Sequence, residues 1–204
     1  MTAALQRKLA PSNTANRMLD AAERLVQTMG FNWFSYADIA EELGVRKASL
    51  HHHFPTKGAL GRALIERYLA QFKATLLAID SRNVDASVKL AAYVKLYADV
   101  LRANRLCLCG MLAAEFSSLP EEMQSGIRQF FDFNEKWLTN VVAQGRRRGI
   151  FHSRGSALDV ARVLLSSFEG ALLVARPYND ARRFRAATRQ ILENLRAAPV
   201  ARRS

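Results

Sequence analysis

The sequence is poor in cysteine, proline and glycine, and it has no long apolar run. Its 204 residues include 2 Cys, 5 Pro and 10 Gly. Two cysteines spaced two residues apart exclude a disulfide framework, and so little Pro and Gly excludes collagen-like or low-complexity chains. No run of about 18 apolar residues is present, so no membrane-spanning helix is expected. The N-terminal MTAALQRKLAPSN also lacks the apolar core of a signal peptide, so we expect a cytoplasmic protein.

Acidic residues are scarce relative to basic ones. There are 18 Asp and Glu against 30 Lys and Arg, which gives a net charge of +12. A balance this basic favours nucleic acid as a partner first and an anionic membrane second. Most of the excess lies in residues 141–204, where all the basic residues are arginine. Net charge alone therefore does not show where a nucleic acid would bind.

Half of the residues are hydrophobic, and they recur at helical spacing throughout the chain. Nine helices are predicted, the last over 181–197, with a frayed tail at 199–204. Ser35 with Asp38 and Ser156 with Asp159 have the form of capping boxes, and Thr56 can cap the long fourth helix. No strand-like alternation and no fixed repeat occur. The predicted fold is therefore all-α.

The segment from Ser35 to Lys57, SYADIAEELGVRKASLHHHFPTK, carries the strongest functional signal. It predicts a helix, a turn at Gly44 that needs a positive φ, and a short second helix, which is helix-turn-helix geometry. In such motifs the second helix enters the major groove of DNA. Its outward face is hydrogen-bonding and basic, and it consists of Arg46, Lys47, Ser49, His51 and His53.

The arrangement S-x-x-D-I-A-E-E-L-G-V-x-x-x-S-L-x-x-H-F-P-x-K-x-A-L, after a helix that ends in Gly30 and an aromatic residue, resembles the DNA-binding domain of TetR-family transcriptional regulators. The resemblance covers roughly residues 14–64. It implies a nine-helix regulator with a DNA-binding domain at 1–56 and a ligand-binding and dimerisation domain at 57–204. Its partners would be a palindromic operator, a small-molecule effector and a second copy of the chain. No cofactor and no membrane partner are implied.

The resemblance also assigns contacts residue by residue. Lys47, Ser49 and His51 would lie in the major groove, beside Arg46. Phosphates would be met by a second set, which is Ser35, Tyr36, His53 and Lys57. The family pattern L-Y-x-H-F has tyrosine where this chain has His51, whose side chain reaches less far.

The C-terminal two-thirds of the chain predicts an apolar effector pocket with a few polar groups. The candidate lining residues are Tyr97, Cys107, Met111, Phe116, Phe130, Asn134 and Trp137, with Glu115 and Glu169 as further polar candidates. Aromatic residues at helical spacing more often form core, so that alternative stays open. The dimer interface implied for the last two helices would use Leu164, Phe168, Leu172, Ile191 and Leu195.

The cysteine and histidine residues could have either a structural or a functional role. Cys107 and Cys109 face apart on a helix, so they are either buried small residues or thiols that sense an electrophile. Adjacent histidines at 51–53 point in different directions and are not expected to chelate a metal. No nucleotide-binding or catalytic signature is present, so we do not expect an enzyme. An architectural DNA-binding protein without a ligand is the remaining alternative.

Overall fold

A computed structural model describes residues 13–196 of the chain. This part contains nine α-helices and two short 3₁₀ turns, at Phe116–Ser118 and Arg176–Tyr178. The helices are α1 (Asn13–Met29), α2 (Tyr36–Leu43), α3 (Lys47–His53), α4 (Lys57–Asp80), α5 (Ala86–Arg102), α6 (Leu108–Ala114), α7 (Glu121–Arg147), α8 (Ala157–Ala175) and α9 (Ala181–Arg196). The all-α prediction is confirmed. The frayed tail at 199–204, the last residue of the predicted ninth helix and the N-terminal MTAALQRKLAPS lie outside the described residues.

The predicted caps fix the helix ends. Ser35 and Asp38 form the complete capping box, in which the Ser35 hydroxyl accepts from Ala37 N and Asp38 Oδ2 accepts from Ser35 N at 2.6 Å. The hydroxyls of Thr56 and Ser156 cap α4 and α8. Each cap satisfies backbone N–H groups that have no partner within their helix. Local sequence therefore sets where α2, α4 and α8 begin.

The helices form two connected units. α1, α2 and α3 pack around small and medium apolar side chains, including the fully buried Met18, Ile39 and Leu50. α4 leaves this unit and packs against α7 in the second one, where α7, α8 and α9 lie side by side. Large buried aromatics such as Phe130 and Phe168 fill the second core. None of the helices in residues 13–196 has the length and apolar character needed to cross a bilayer.

Candidate DNA-binding surface and effector cavities

The turn between α2 and α3 has the geometry that the sequence predicts. Gly44 adopts the left-handed conformation at φ 65°, where a side chain would be strained. Gly44 N donates to Glu41 O, and Val45 N donates to Ala40 O at 3.0 Å, which closes the turn. Tyr36, Ile39 and Ala40 of α2 are buried. The two helices are thus held as a helix-turn-helix with a shared small core.

The outer face of α3 is polar and open to solvent. Arg46, Lys47 and His51 are exposed, and Ser49 and His53 are partly exposed. Arg46 and Lys47 make no ion pair within residues 13–196, so their positive charges are available to a partner. Ser35, at the N-terminus of α2, is also exposed. These side chains form one surface of the kind that contacts bases and phosphates.

Tyr36 does not lie on this surface. Its side chain is 5% exposed, and its hydroxyl is 2.7 Å from both Phe54 O and Thr56 O, to which it donates. Burial raises the pKa of Tyr36 to about 12. The expectation of a phosphate contact is wrong for this residue, because its hydroxyl ties α2 to the turn between α3 and α4.

Lys57 is likewise turned inward. Its Nζ donates to Phe31 O at 2.6 Å and to Phe34 O, and it lies 4.7 and 4.4 Å from the centres of the two phenyl rings. Desolvation lowers the pKa of Lys57, although Glu115 and Asp38 nearby act in the opposite direction. Its ammonium group is occupied by the loop between α1 and α2. In this structure Lys57 therefore serves the fold of the loop, and its expected phosphate contact stays a prediction.

Trp33 was not singled out from the sequence. Its side chain is 80% exposed, although its neighbours Phe31 and Phe34 are buried. It lies two residues before the N-cap of α2, on the loop that Lys57 holds. A tryptophan in an aromatic-rich segment is expected to be buried. The sequence does not give the orientation of the loop, which is what exposes Trp33.

The second unit holds the same loop, and the C-terminal end of α1, by hydrogen bonds. Glu115 accepts from Phe31 N at 2.7 Å and from Asn32 N at 3.4 Å. Leu106 N donates to Gln27 O at 3.0 Å, and Arg176 donates to Thr28 O. Glu115 is therefore a link between the two units, and the suggestion that it is a polar group of the effector pocket is wrong.

Gly30 makes room for this link. It has a φ of 97°, and a Cβ at this position would lie 2.6 Å from Glu115 Oε1. The glycine predicted as the end of the first helix thus serves two purposes. It allows the left-handed backbone, and it lets the Glu115 carboxylate approach the loop.

A first cavity of about 190 Å³ lies between α4, α5 and the segment before α6. Tyr97 and Cys107, both predicted from the sequence, line it. Residues of α4 also line this cavity, but they were not predicted to do so, because helical spacing indicates only that a residue faces the core. The remaining lining residues are Tyr68, Gln71, Phe72, Thr75, Leu96, Asp99 and Val100. Asp99 is paired with Lys95 and Arg102, so the cavity presents a mainly apolar, aromatic surface.

A second cavity of about 160 Å³ lies on the other side of Cys107, between α6 and α8. Met111, also predicted, lines it together with Glu169. The Glu169 carboxyl group is enclosed by protein, and this burial raises its pKa to about 7. Other wall residues are Leu106, Gly110, Ala114, Gly170, Leu172 and Leu173. Of the residues that line this cavity, Glu169 alone carries a carboxyl group.

The other predicted pocket residues do not line either cavity. Phe130 is fully buried and packs against Tyr68 and Phe72 from behind. Phe116 is partly buried beneath the guanidinium of Arg128. Trp137 Nε1 donates to Asp80 Oδ2 at 2.9 Å, and Asn134 accepts from Tyr93. Phe130 and Asn134 are core residues and Phe116 packs against the core, whereas Trp137 lines a separate polar pocket of about 330 Å³ beside Asp80 and Lys89.

Both cysteines are buried and form no disulfide, and Cys107 Sγ accepts from the Tyr68 hydroxyl at 3.9 Å. Burial, reinforced by the negative charge of Glu169, raises the pKa of Cys107 and of Cys109 well above the ordinary thiol value. A reactive thiolate needs the opposite, a lowered pKa and a basic neighbour. The surroundings therefore favour neutral, packed thiols, although Cys107 contributes to both cavity walls.

The residues predicted for the dimer interface lie mostly inside a single protomer. Leu164, Phe168, Leu172 and Leu195 are at most 4% exposed without any partner chain, and only Ile191 is partly exposed. Phe168 and Leu172 are therefore core residues, whereas Leu164 and Leu195 line the floor of an open groove with Ile191, and their place in the interface stays a prediction.

A different face of α8 is open. Val163, Leu173 and Val174 are 60 to 62% exposed. Val163, Ser167, Gly170 and Val174 recur at helical spacing, and Gly170 has open space where a Cβ would stand. A groove of about 440 Å³ continues this face onto α9 at Ile191 and Asn194. This stripe of small and apolar residues is the surface that a second chain could cover.

An exposed helix-turn-helix linked to a larger helical unit with cavities is typical of a DNA-binding transcriptional regulator of the one-component class. Comparison with known proteins agrees. Residues 18–64 match the family model described as bacterial regulatory proteins, tetR family, and residues 86–191 match the tetracyclin repressor-like C-terminal domain. The chain belongs to the TetR family. It is a DNA-binding, ligand-responsive transcriptional repressor.

Relatives cover nearly the whole chain. A TetR-family transcriptional regulator from Agrobacterium tumefaciens is 34% identical, with a TM-score of 0.88 over 92% of this chain and 100% of that one. The HTH-type transcriptional repressor NemR of Escherichia coli K12 is 26% identical over 168 residues, which are 80% of this chain and 84% of NemR. The reduced form of E. coli NemR superposes with a TM-score of 0.79 at 25% identity, over 93% of this chain and 100% of that chain.

Proposed function

We propose that a homodimer of this chain binds a palindromic operator through α3 and leaves it when a small molecule enters the cavities beside Cys107. The observation that carries this proposal is the exposed polar face of α3, in a unit that a hydrogen bond joins to the cavity wall. Leu106 lines the second cavity, and its backbone N donates to Gln27 O of α1 in the DNA-binding unit. The protein would act in the cytoplasm, where the operator is accessible.

Contacts to bases are assigned to Arg46, Lys47, Ser49 and His51, and contacts to phosphates to His53 and the N-terminus of α2 at Ser35. The exposure of this set supports the assignment. The backbone N–H groups at the start of α2 add a partial positive charge suited to a phosphate. Tyr36 positions these groups and does not touch DNA, while Lys57 holds the loop before α2.

Dimerisation is assigned to the open stripe of α8, Val163, Ser167, Gly170 and Val174, with Ile191 of α9. Small residues along a helix let a second helix approach closely. A two-fold dimer would present two copies of α3 to successive major grooves, about 34–36 Å apart or a multiple of that spacing. An operator with two inverted half-sites follows from that symmetry.

Release is assigned to α4 and the segment before α6. α4 begins in the DNA-binding unit and carries Tyr68 and Phe72 on the wall of the first cavity. A ligand that binds the DNA-incompetent arrangement more tightly shifts the equilibrium towards it, and operator DNA must weaken ligand binding by the same factor. The two cavities weigh against an architectural DNA-binding protein, which needs no effector site.

The test uses duplexes that the wild-type protein selects from a random library. We expect inverted repeats, and we expect Lys47→Ala to weaken binding to the selected duplex by about 1–3 kcal/mol without altering the melting temperature. Lys136→Ala, an exposed lysine of α7, serves as the control and should bind normally. Selected sequences without two-fold symmetry, or normal binding by Lys47→Ala, would overturn the proposal.

A further inference from the structure

A chain of hydrogen bonds runs from Asn134 through Tyr93 and Tyr97 to Glu169, and the donor at its Asn134 end can be assigned. Asn134 Nδ2 donates to Phe130 O, which orients the Asn134 amide, and Tyr93 then donates to Asn134 Oδ1 at 2.7 Å. The Tyr93 and Tyr97 hydroxyls are 3.1 Å apart, and Tyr97 is 3.3 Å from Glu169 Oε1. Because Tyr93 gives its only proton to Asn134, it can only accept from Tyr97.

Proton counting now distinguishes two states of the carboxyl group. If Glu169 is protonated, it donates to Tyr97, Tyr97 donates to Tyr93, and every hydroxyl in the chain is satisfied. If Glu169 is ionised, Tyr97 donates to it instead. Neither tyrosine then has a proton to donate to the other, so the hydrogen bond between the Tyr93 and Tyr97 hydroxyls is lost. A buried carboxylate then depends on weak or incomplete donors, which is unfavourable.

Nothing in residues 13–196 supplies the missing positive charge. Glu169 makes no ion pair there. The titratable groups that face it are Tyr68 from α4, Tyr93 and Tyr97 from α5, and Cys107 and Cys109 at α6, and none of them is basic. Tyr97 and the Cys107 thiol are neutral donors to the ionised carboxylate, so a cationic partner must come from outside residues 13–196.

The cavity leaves this carboxylate open to a ligand. Glu169 lies on the wall of the second cavity, and a Cβ at Gly110 would stand 2.6 Å from Glu169 Oε2. Gly110 thus lets Glu169 Oε2, the oxygen that Tyr97 does not contact, pack closely against α6 at the wall of the cavity. The rest of the wall is apolar or contains sulfur, and a cavity of this size accommodates a single six-membered ring.

We propose that the effector is a small primary amine, whose ring or chain fills the second cavity and whose ammonium group pairs with Glu169. This inference rests on the ligand-responsive function proposed above and names the chemical class of its ligand. The protonated carboxyl already uses its proton on Tyr97, so a carbonyl ligand finds no donor there. An ammonium group satisfies the ionised carboxylate, while its apolar part replaces water against Leu106 and Leu172.

The first experiment measures binding of matched probes by calorimetry to the full chain. Benzylamine, cyclohexylamine and hexylamine are compared with the corresponding alcohols and with benzoate. We expect at least one amine to bind about tenfold or more tightly than its alcohol, and benzoate not to bind. Equal affinity of each amine and its alcohol, or no amine binding, overturns the proposal.

Variants test the role of the carboxylate. Glu169→Gln keeps the shape of the side chain and should weaken amine binding by about ten- to hundredfold. Glu66→Gln makes the same change on the exposed surface of α4 and should bind normally. Unchanged amine affinity in Glu169→Gln overturns the proposal. Circular dichroism confirms folding, and binding to the selected duplex without ligand tests the proposed DNA function independently of this result.

The dependence on pH supplies a separate readout. Because the pKa of Glu169 is about 7 and the amines remain protonated, wild-type affinity should rise up to about tenfold per unit between pH 5.5 and 6.5, then level above pH 8. Glu169→Gln should show no such rise. A flat profile for the wild type, or the same rise in the variant, overturns the assignment to Glu169.

Discussion

Lys57 serves the fold of the DNA-binding unit, although its charge and position in the motif favour a role in binding. Its ammonium group satisfies the carbonyl groups of Phe31 and Phe34 and packs on both rings. Charged hydrogen bonds in a partly buried site are among the stronger ones in proteins. Lys57 therefore fixes the loop that precedes α2.

Substitution of Lys57 should separate stability from DNA contact. We expect Lys57→Met to lower the free energy of unfolding by about 1–3 kcal/mol, because it leaves two carbonyl groups without their donor. The slope of log affinity against log salt for the selected duplex should stay unchanged, since the ammonium group is already bound to the loop. Denaturant titration and binding at several salt concentrations measure the two quantities.

Lys47→Ala is the matched case for the salt dependence. Lys47 is assigned to bases in the major groove, so Lys47→Ala should lower the affinity, whereas a reduction of the salt slope by about one marks a lost phosphate contact. Such a reduction in Lys57→Met would show that Lys57 reaches a phosphate in the complex.

For individual residues, the sequence predicts the residues that cap helices and form turns, but it predicts less well where a side chain points. The capping box at Ser35 and Asp38, the cap at Ser156 and the turn at Gly44 are local features, and the structure confirms them. The directions of Tyr36 and Lys57 depend on carbonyl groups 18 to 26 residues away, which no local pattern encodes. Glu115 is a more extreme case, because its partner lies 84 residues earlier.

Among the helices, α8 shows what the spacing of apolar residues can and cannot predict. Apolar residues occur on two of its faces, one that packs on α7 and α9 and one that is open. Helical spacing predicts both faces but does not say which one meets the core. That is why helix boundaries and the all-α class follow from the sequence, whereas Phe168 and Leu172, expected from it at the interface, are core residues.

A charge on the open face should abolish dimerisation without unfolding the protomer. Val174 is 61% exposed in the single chain, so Val174→Glu should fold normally and sediment as a monomer. Binding to the symmetric duplex should weaken strongly, because two linked copies of α3 are no longer presented together. Analytical ultracentrifugation and thermal melting measure these effects.

Val88→Glu, on the exposed part of α5, makes the same chemical change away from the proposed interface. It should remain dimeric. A dimeric Val174→Glu would place the interface on another surface, and an unfolded one would show that the face is part of the core.

In the whole molecule, Glu115 is the side chain that links the effector-binding unit to the backbone of the loop before α2. We expect Glu115→Ala to increase amide hydrogen exchange at Phe31 and Asn32, since their N–H groups lose their acceptor. The free energy of unfolding should fall by about 1–3 kcal/mol. Exchange measured by mass spectrometry on peptides covering 30–34 checks the first effect.

Glu121→Ala, an exposed acid in the first turn of α7, is the control and should leave exchange in this loop unchanged. If Glu115→Ala exchanged no faster than the control, the loop would be held by Lys57 and by its own packing alone.

The placement of the two tryptophans gives each unit its own optical signal. Trp33 is 80% exposed beside α2, whereas Trp137 is 7% exposed in the second core, stacked on Tyr93. A collisional quencher such as acrylamide should therefore extinguish the red-shifted emission of Trp33 first and leave the blue-shifted emission of Trp137. Without any label, one fluorescence spectrum can follow the DNA-binding loop at Trp33 and the hydrogen-bonded tyrosines near Glu169 at Trp137 as two separate signals.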